Sequence, residues 1–479
     1  MTLHAGTGGD LEAASARRAG FGPRFVAPVL IGPVLNPINT TMISVALVPI
    51  ARDLQVASSV VIWLVAGLYL TSAIAQPTLG KVGDVLGPRK VYLGGLVVVL
   101  VAGVLPFLVS GFAGVLLARV LIGLGTSAAY PSAMSLIRDQ SARLDVETPP
   151  TLLSGLSIAG QATAAVGPVL GGVLVAGFGW RSIFLVNVPL AAVALAMTLR
   201  WVPSDRTRSA PPRTGSVLAA VDPVGIVLFA GLLAALLVFL LDLTSPLWWL
   251  LVLGGVLAAA LPAWELRRPA PFLDLRMLAA NGALTRTYLR QFLVYLSGYS
   301  MVYGFSQWLQ DAAGFTSDKA GLLQLPTAAL AGVAAVVVAR TTALRWPLVL
   351  AGGLPFLGGL LIVTLHSTAP VWLLLVVAGL FGVPQGLASV SNQAAMYRQA
   401  PAGQLGTAAG LSRTSVYLGA IVSSAVIGVT FGAQPTDAGL HRIGWFIALV
   451  TGTAAVLAFF DRSLRGPSGA ARPAVPADH

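Results

Sequence analysis

Apolar runs of about twenty residues, broken by short polar stretches, recur along the whole chain, and about twenty residues is what an α-helix needs to cross the hydrocarbon core of a bilayer. The first run begins after a polar segment holding Arg17, Arg18 and Arg24 and continues to about Ile50. It contains no small-residue cleavage site after a short apolar region, so it reads as a span in its own right rather than a signal peptide. Further runs lie at roughly 60–80, 91–109, 112–137, 151–176, 183–201, 222–242, 247–264, 283–308, 319–339, 346–366, 370–395, 404–431 and 441–460. The pattern predicts about fourteen membrane helices.

Composition agrees. Of 479 residues, 56% are hydrophobic and only 10% charged, and the mean hydropathy is +0.85, which excludes a soluble globule. The absence of cysteine removes disulfides, thiolate catalysis and cysteine-ligated metal, and the four histidines are too dispersed for a metal site. A net charge of +12 invites a nucleic-acid reading, but its distribution follows membrane topology instead. With the N-terminus inside, only Arg52, Arg181, Lys319 and Arg442 face out, Arg119 and Arg413 remain within spans, and every other basic residue falls in the tails or on the cytoplasmic side. This bias predicts a multi-pass protein of the cell membrane with both termini in the cytoplasm, contacting lipid and no nucleic acid.

The stretch from Gly155 to Pro189, GLSIAGQATAAVGPVLGGVLVAGFGWRSIFLVNVP, carries the most specific signal. Gly160, Gly167 and Gly171 recur at helical spacing, so one face lacks side chains and admits a close neighbour. Pro168 within that face removes a backbone donor and predicts a bend. The GP-x-x-GG pattern of Gly167–Gly172, followed by Trp180-Arg181-Ser182-Ile183-Phe184-Leu185-Val186-Asn187-Val188-Pro189, resembles the major facilitator superfamily and, within it, the fourteen-span drug:proton antiporter branch. The resemblance implies an all-α integral membrane fold of two six-helix bundles plus a two-helix insert, with the GP helix at the interface between the halves. It places a tail at 1–24, the first half at 25–201, a cytoplasmic loop at 202–221, the inserted hairpin at 222–264, a linker at 265–282, the second half at 283–461 and a tail at 462–479. Duplicated halves are how alternating-access carriers put a substrate site near the membrane midplane.

Several residues are candidates for function. The turn Gly80-Lys81-Val82-Gly83-Asp84-Val85-Leu86-Gly87-Pro88-Arg89-Lys90 looks like the superfamily's G-x-L-A-D-x-x-G-R-K loop. Its glycines Gly80 and Gly87 permit a tight turn, and Asp84 at a helix end can hold a charge partner, Arg89 or another helix, that latches one conformation. Arg119 lies within the fourth span, where a cation is expensive enough to face a cavity, a partner or backbone carbonyls, and with Gly123 it resembles the family's R-x-x-x-G motif. Arg413 matches an arginine common in the branch and sits nearer a helix end, where it can snorkel. Asn36-Pro37-Ile38-Asn39-Thr40-Thr41 resembles the branch's first-span signature, with Asn39 where the family carries aspartate. An amide does not titrate, and Asp84, Asp139, Asp222, Asp242, Asp311 and Asp318 all lie at helix ends or in loops. Either an end-positioned carboxylate carries the proton, or protons are not carried.

Gln291, Tyr295, Tyr299 and Tyr303 recur four residues apart and leave one polar-aromatic stripe on an apolar span, extended outward by Gln307 and Gln310. Such a face suits a bulky amphipathic or cationic organic ligand, or packs tyrosines against neighbouring helices. Gln385, Ser391, Asn392 and Gln393 add polar groups to a later span. Together these predict a secondary transporter of the drug-export type, a monomer, whose central cavity holds Asn39, Arg119 and the Tyr295/Tyr299 face, with no cofactor and no metal. Two alternatives stand beside it: a related carrier of a lipid, sugar or secreted metabolite, and a non-transporting membrane sensor or enzyme. Against the latter, no zinc, nucleophile-elbow or phosphate-loop pattern is present. Asn39→Asp is expected to increase the proton dependence of transport; a response to the pH gradient equal to that of the parent chain would count against the aspartate reading.

Overall fold

The computed structural model describes residues 21–145, 150–205, 222–241, 246–269, 271–341, 343–400 and 405–465. The tails and most of the loop expected at 202–221 lie outside these residues. The described chain is helical throughout. Its long rods are α1 (Pro23–Val45), α2 (Ser58–Gly83), α3 (Pro88–Leu108), α4 (Phe112–Leu144), α5 (Pro150–Phe178), α6 (Ser182–Trp201), α7 (Pro223–Leu241) and α8 (Trp248–Glu265). After a short helix at Leu275–Ala280 come α9 (Gly282–Tyr299, continued through a π turn at Ser300–Phe305 into Ser306–Asp311), α10 (Ser317–Ala339), α11 (Arg345–Ile362), α12 (Val371–Gln399), α13 (Leu405–Phe431) and α14 (Asp437–Phe460).

Among the described residues, 12 of these helices are long and apolar enough to cross a membrane, fewer than the fourteen expected. The rods outside that set are α5 and α9. In α9 the shortfall has a physical reason: Arg286, Arg290, Gln291 and a π turn interrupt its apolar character.

Helix packing reflects the lack of a hydrophobic force between rods in lipid, where close approach and interhelical hydrogen bonds hold a bundle together. In one group α1 packs on α5 and α6, α2 on α4, and α3 on α4 and α6. In the other α9 packs on α12, α13 and α14, α11 on α12 and α14, and α10 on α12. The groups meet along α5–α10 and α2–α13, while α7 and α8 pair with each other and α7 leans on α2 and α13.

Helix α5 runs unbroken through Pro168 and has two side-chain-free faces rather than one. On the first, a Cβ added at Gly171 would stand 2.6 Å from the Met42 carbonyl of α1. On the second, a Cβ at Gly172 would stand 2.7 Å from the carbonyl of Ser317 at the start of α10, and one at Gly321 would meet the Pro168 carbonyl. Residues 167 and 171 share one helical face and 168 and 172 the next. The GP-x-x-GG run therefore sets α5 against its own bundle and against the other.

The two ends of the molecule differ. At one, Arg52 pairs with Asp311 at 2.6 Å, and the amides of Ser58 and Ser59 donate to the carbonyls of Ala433 (3.1 Å) and Gly432 (2.9 Å); all three contacts cross between the groups. At this end Trp180 and Arg181 both donate to Asp53, at 2.9 and 3.3 Å. At the opposite end Asp205 accepts from the backbone amides of Arg89 and Lys90, and Asp461 pairs with Arg290 at 2.5 Å and Arg286 at 3.1 Å. Arg286 and Arg290, counted with the loops in the charge pattern, thus lie in α9 and hold it to the end of α14.

Burial by itself would raise the Asp461 carboxyl, but hydrogen bonds from Arg286, Ser463 and Arg290 and the Arg290 charge bring it below its ordinary value. Because the folded carboxyl ionises at lower pH than the unfolded one, the pair stabilises the fold fully above the ordinary aspartate range and loses that contribution as pH falls through the folded value. Arg290→Met is expected to cost about 3 kcal/mol, the low end for breaking a buried pair, since Arg286 still reaches Asp461. Tryptophan-monitored thermal unfolding in detergent checks this; the deficit should be present at neutral pH and shrink in acid.

Candidate functional site

The polar residues singled out from the sequence converge where the two groups meet. Arg119 is buried on α4. Its Nε donates to the Leu64 carbonyl of α2 at 3.0 Å and its Nη1 to the Asn39 carbonyl of α1 at 3.1 Å, while Nη2 finds no partner. The arginine therefore ties three helices together through backbone carbonyls, with one donor left over.

Asn39 is buried and forms a reciprocal amide pair with Asn187 of α6, the asparagine of the W-R-x-I-F-x-x-N-x-P run: its Nδ2 donates to Asn187 Oδ1 at 2.5 Å and its Oδ1 accepts from Asn187 Nδ2 at 3.0 Å. Two asparagines satisfy each other in this way because each carries a donor and an acceptor. An aspartate at 39 would keep the acceptor and lose the donor. Asn36, one turn earlier, donates to Thr126 at 2.9 Å.

The stripe on α9 is assembled as its spacing implies. Tyr299 and Tyr303 stack at 5.9 Å and Tyr295 lies 6.0 Å from Tyr299. Tyr69 of α2 meets Tyr299 at 5.1 Å, Tyr303 at 6.5 Å and Tyr417 of α13 at 5.8 Å. Hydroxyls connect the cluster across the groups: Tyr69 and Tyr303 are 3.0 Å apart, Tyr303 donates to the Thr40 carbonyl, and Tyr417 donates to Gln76. Tyr303 and Tyr69 also act electrostatically on Arg119. Beyond Phe305 the π turn inserts an extra residue and rotates the remainder of the helix by about 100°. Gln307, past that turn, is buried with neither amide atom partnered. Gln291 accepts from Ser412 at 2.9 Å, and Asn392 of α12 is buried with both amide atoms unpartnered.

Arg413 is exposed although it lies inside α13, with Tyr295 and Tyr299 half-buried nearby on α9. Its guanidinium lies over the Tyr130 ring of α4 at 5.2 Å and acts on Tyr295 and Tyr417. Half-buried tyrosines and an exposed arginine within spans mark a cleft between the groups. A small pocket lies between α9, α10 and α12, lined in part by Val302, Phe305, Gln324 and Gln385.

Of the turn after α2, the Asp84 side chain lies outside the described residues. Arg89 donates to the Leu199 carbonyl at 3.0 Å, capping the end of α6. Gly87 has φ +103° and Asp205 packs against it, so a side chain there would be strained as well as blocked. Gly80 faces Pro131 of α4. On α5, Gly167 meets Thr41 and Gly160 faces Pro37 of α1. Periodicity and motifs alone pass over Tyr69, Gln76, Tyr130 and Tyr417; the only signal for them is a hydroxyl or amide inside an apolar run. Among the described residues, no group of three or more His, Cys, Asp or Glu side chains could hold a metal ion.

The profile of the Major Facilitator Superfamily matches residues 29–424. The chain is 34% identical over 445 residues to the uncharacterized MFS-type transporter YwoD of Bacillus subtilis, covering 90% of this chain and 95% of that protein. It is 28% identical to the tetracenomycin C resistance and export protein of Streptomyces glaucescens (87% and 78% covered) and 30% identical to the multidrug efflux pump LfrA of Mycolicibacterium smegmatis (85% and 80%). In fold it matches a bacterial homologue of the human drug peptide transporters at a TM-score of 0.62 and 15% identity, covering 91% of this chain and 96% of that one.

Asn39→Ala and Asn187→Ala are each expected to cost about 1–3 kcal/mol, because each strands a buried amide. The double variant should cost clearly less than the sum, read from thermal midpoints in detergent; additive losses would dissolve the pair.

Proposed function

The chain belongs to the Major Facilitator Superfamily, and on that premise we propose that it is a secondary active carrier that exports amphipathic organic compounds, drugs among them, by alternating access. Its relatives are transporters, not enzymes. The observation that carries the reading is the tyrosine cluster: Tyr69, Tyr299, Tyr303 and Tyr417 join the two helix groups through ring contacts and hydroxyls, contacts that can be exchanged for a ligand at little net cost. Relatives named for drug resistance and efflux favour this substrate class over sugars or lipids.

In this reading all fourteen rods cross the bacterial cell membrane. Helix α5 is 29 residues long, and the segments of α9 succeed one another without a gap. An even count puts both termini on one side, and the basic residues assign that side to the cytoplasm. The Arg52–Asp311 end is then outermost and shut, and the cleft at Arg413 opens inward. The α5–α10 glycine contact acts as the pivot. Arg89 and Gly87 hold the turn after α2 to Asp205 and the end of α6, so any latch through Asp84 starts from a fixed turn. The carrier works as a monomer without a cofactor.

The natural chain has no cysteine, so engineered pairs report cleanly. Ser58→Cys with Ala433→Cys, joined in the structure by a 3.1 Å backbone hydrogen bond, should cross-link on mild oxidation. Dye efflux from proteoliposomes should then stop and return with reductant; efflux that continues through the cross-linked protein would sink alternating access at this end.

A further inference from the structure

Charge inside the bundle is one-sided. Among the described residues, every Asp and Glu falls within two turns of one end of a helix or in a connector. The interior arginines divide into two kinds. Arg290 is neutralised by Asp461. The described titratable groups that act most on Arg119 and Arg413 are tyrosines: Tyr303 and Tyr69 for the first, Tyr130, Tyr417 and Tyr295 for the second. Arg119 is 1% exposed and keeps Nη2 without a partner, an arrangement that costs free energy unless an anion or further acceptors complete it.

The tyrosine that acts most on Arg119 is also one that must move. Tyr303 reaches across from α9 to the Thr40 carbonyl and to Tyr69, beside the arginine. These contacts join the two helix groups, so rocking them apart withdraws Tyr303 from the neighbourhood of Arg119. Arg413 lies over Tyr130 and acts on Tyr295, two steps along the same stripe from Tyr303.

Resting on the carrier reading above, we propose that the cleft takes a monovalent organic anion with an aromatic body, its charge held by Arg119 and Arg413 and its rings by the tyrosines, and that the membrane potential drives its export without a counter-transported proton. Two guanidiniums and several phenol hydroxyls all donate to an anionic head. A cation meets tyrosine faces there, but also two like charges and no carboxylate. The energetics fit the non-titrating Asn39. A cell interior that is negative by about 100 mV favours the outward movement of one negative charge roughly 50-fold, so this cargo needs no membrane-buried proton carrier.

The test uses the full chain in proteoliposomes with two probes of matched shape, naphthalene-2-sulfonate and the trimethylammonium derivative of naphthalene. A potassium diffusion potential and a pH gradient are imposed separately. The expected result is sulfonate movement whose equilibrium distribution shifts about tenfold for each 60 mV of potential, without a pH gradient and with little movement of the ammonium probe. Arg413→Gln, at an exposed position, should cut sulfonate flux at least tenfold, as should Arg119→Gln if that variant inserts. Preference for the ammonium probe, or sulfonate flux that tracks the pH gradient and ignores the potential, overturns the inference while leaving a carrier. Movement of neither probe under either gradient overturns the carrier reading together with it.

Discussion

The structure depends on one contact in which backbone meets backbone. At α5–α10, Gly172 faces the carbonyl of Ser317 and Gly321 faces that of Pro168, so close that a methyl group on either side would overlap a carbonyl oxygen. Lipid tails are as apolar as leucine and supply no hydrophobic force to press the two helix groups together. Attraction along this seam has to come from surfaces near enough for dispersion and for weak Cα–H contacts to carbonyls, which bare backbone provides and large side chains prevent. Because it has no side chains to interlock, the same contact can be left and remade.

Polar groups complete the joint and limit it. Most hydroxyls and amides inside the bundle find their partners within the protein, since the membrane offers none. Within one group the buried partners are permanent in kind: Asn39 with Asn187, and Arg119 with two carbonyls. Between the groups they are of a sort that water or a ligand can replace, namely tyrosine hydroxyls, one ion pair whose arginine is 65% exposed, and two terminal backbone bonds. An exposed pair of this type contributes little to stability. Rigid bundles with an exchangeable interface result from that difference in bonding, and motion is then confined to the interface.

Asn39 shows how a polar group inside a span is absorbed. The position is neutral, and its amide is used up in the pair with Asn187 and in a bond to the Leu35 carbonyl. Arg119 and Arg413 are not absorbed in the same way: the first is buried with one donor unpartnered, and the second is exposed within its span.

The helical rods, their membrane setting and the membership of the glycine run in an interface were legible in the sequence, because each depends on the period and length of apolar runs or on a local motif. So was the tyrosine stripe, whose four-residue spacing survives in the fold up to Phe305. The π turn at Ser300–Phe305 was announced by no local composition. Only the tertiary structure decided the partners: that Asn187 answers Asn39, that Arg119 rests on carbonyls of two other helices, that α5 has a second bare face for α10, and that Tyr69 and Tyr417 close over the stripe. Pairs 148 residues apart leave no trace in any local pattern, since a buried amide needs only some complementary group nearby, and which helix brings one is set by packing.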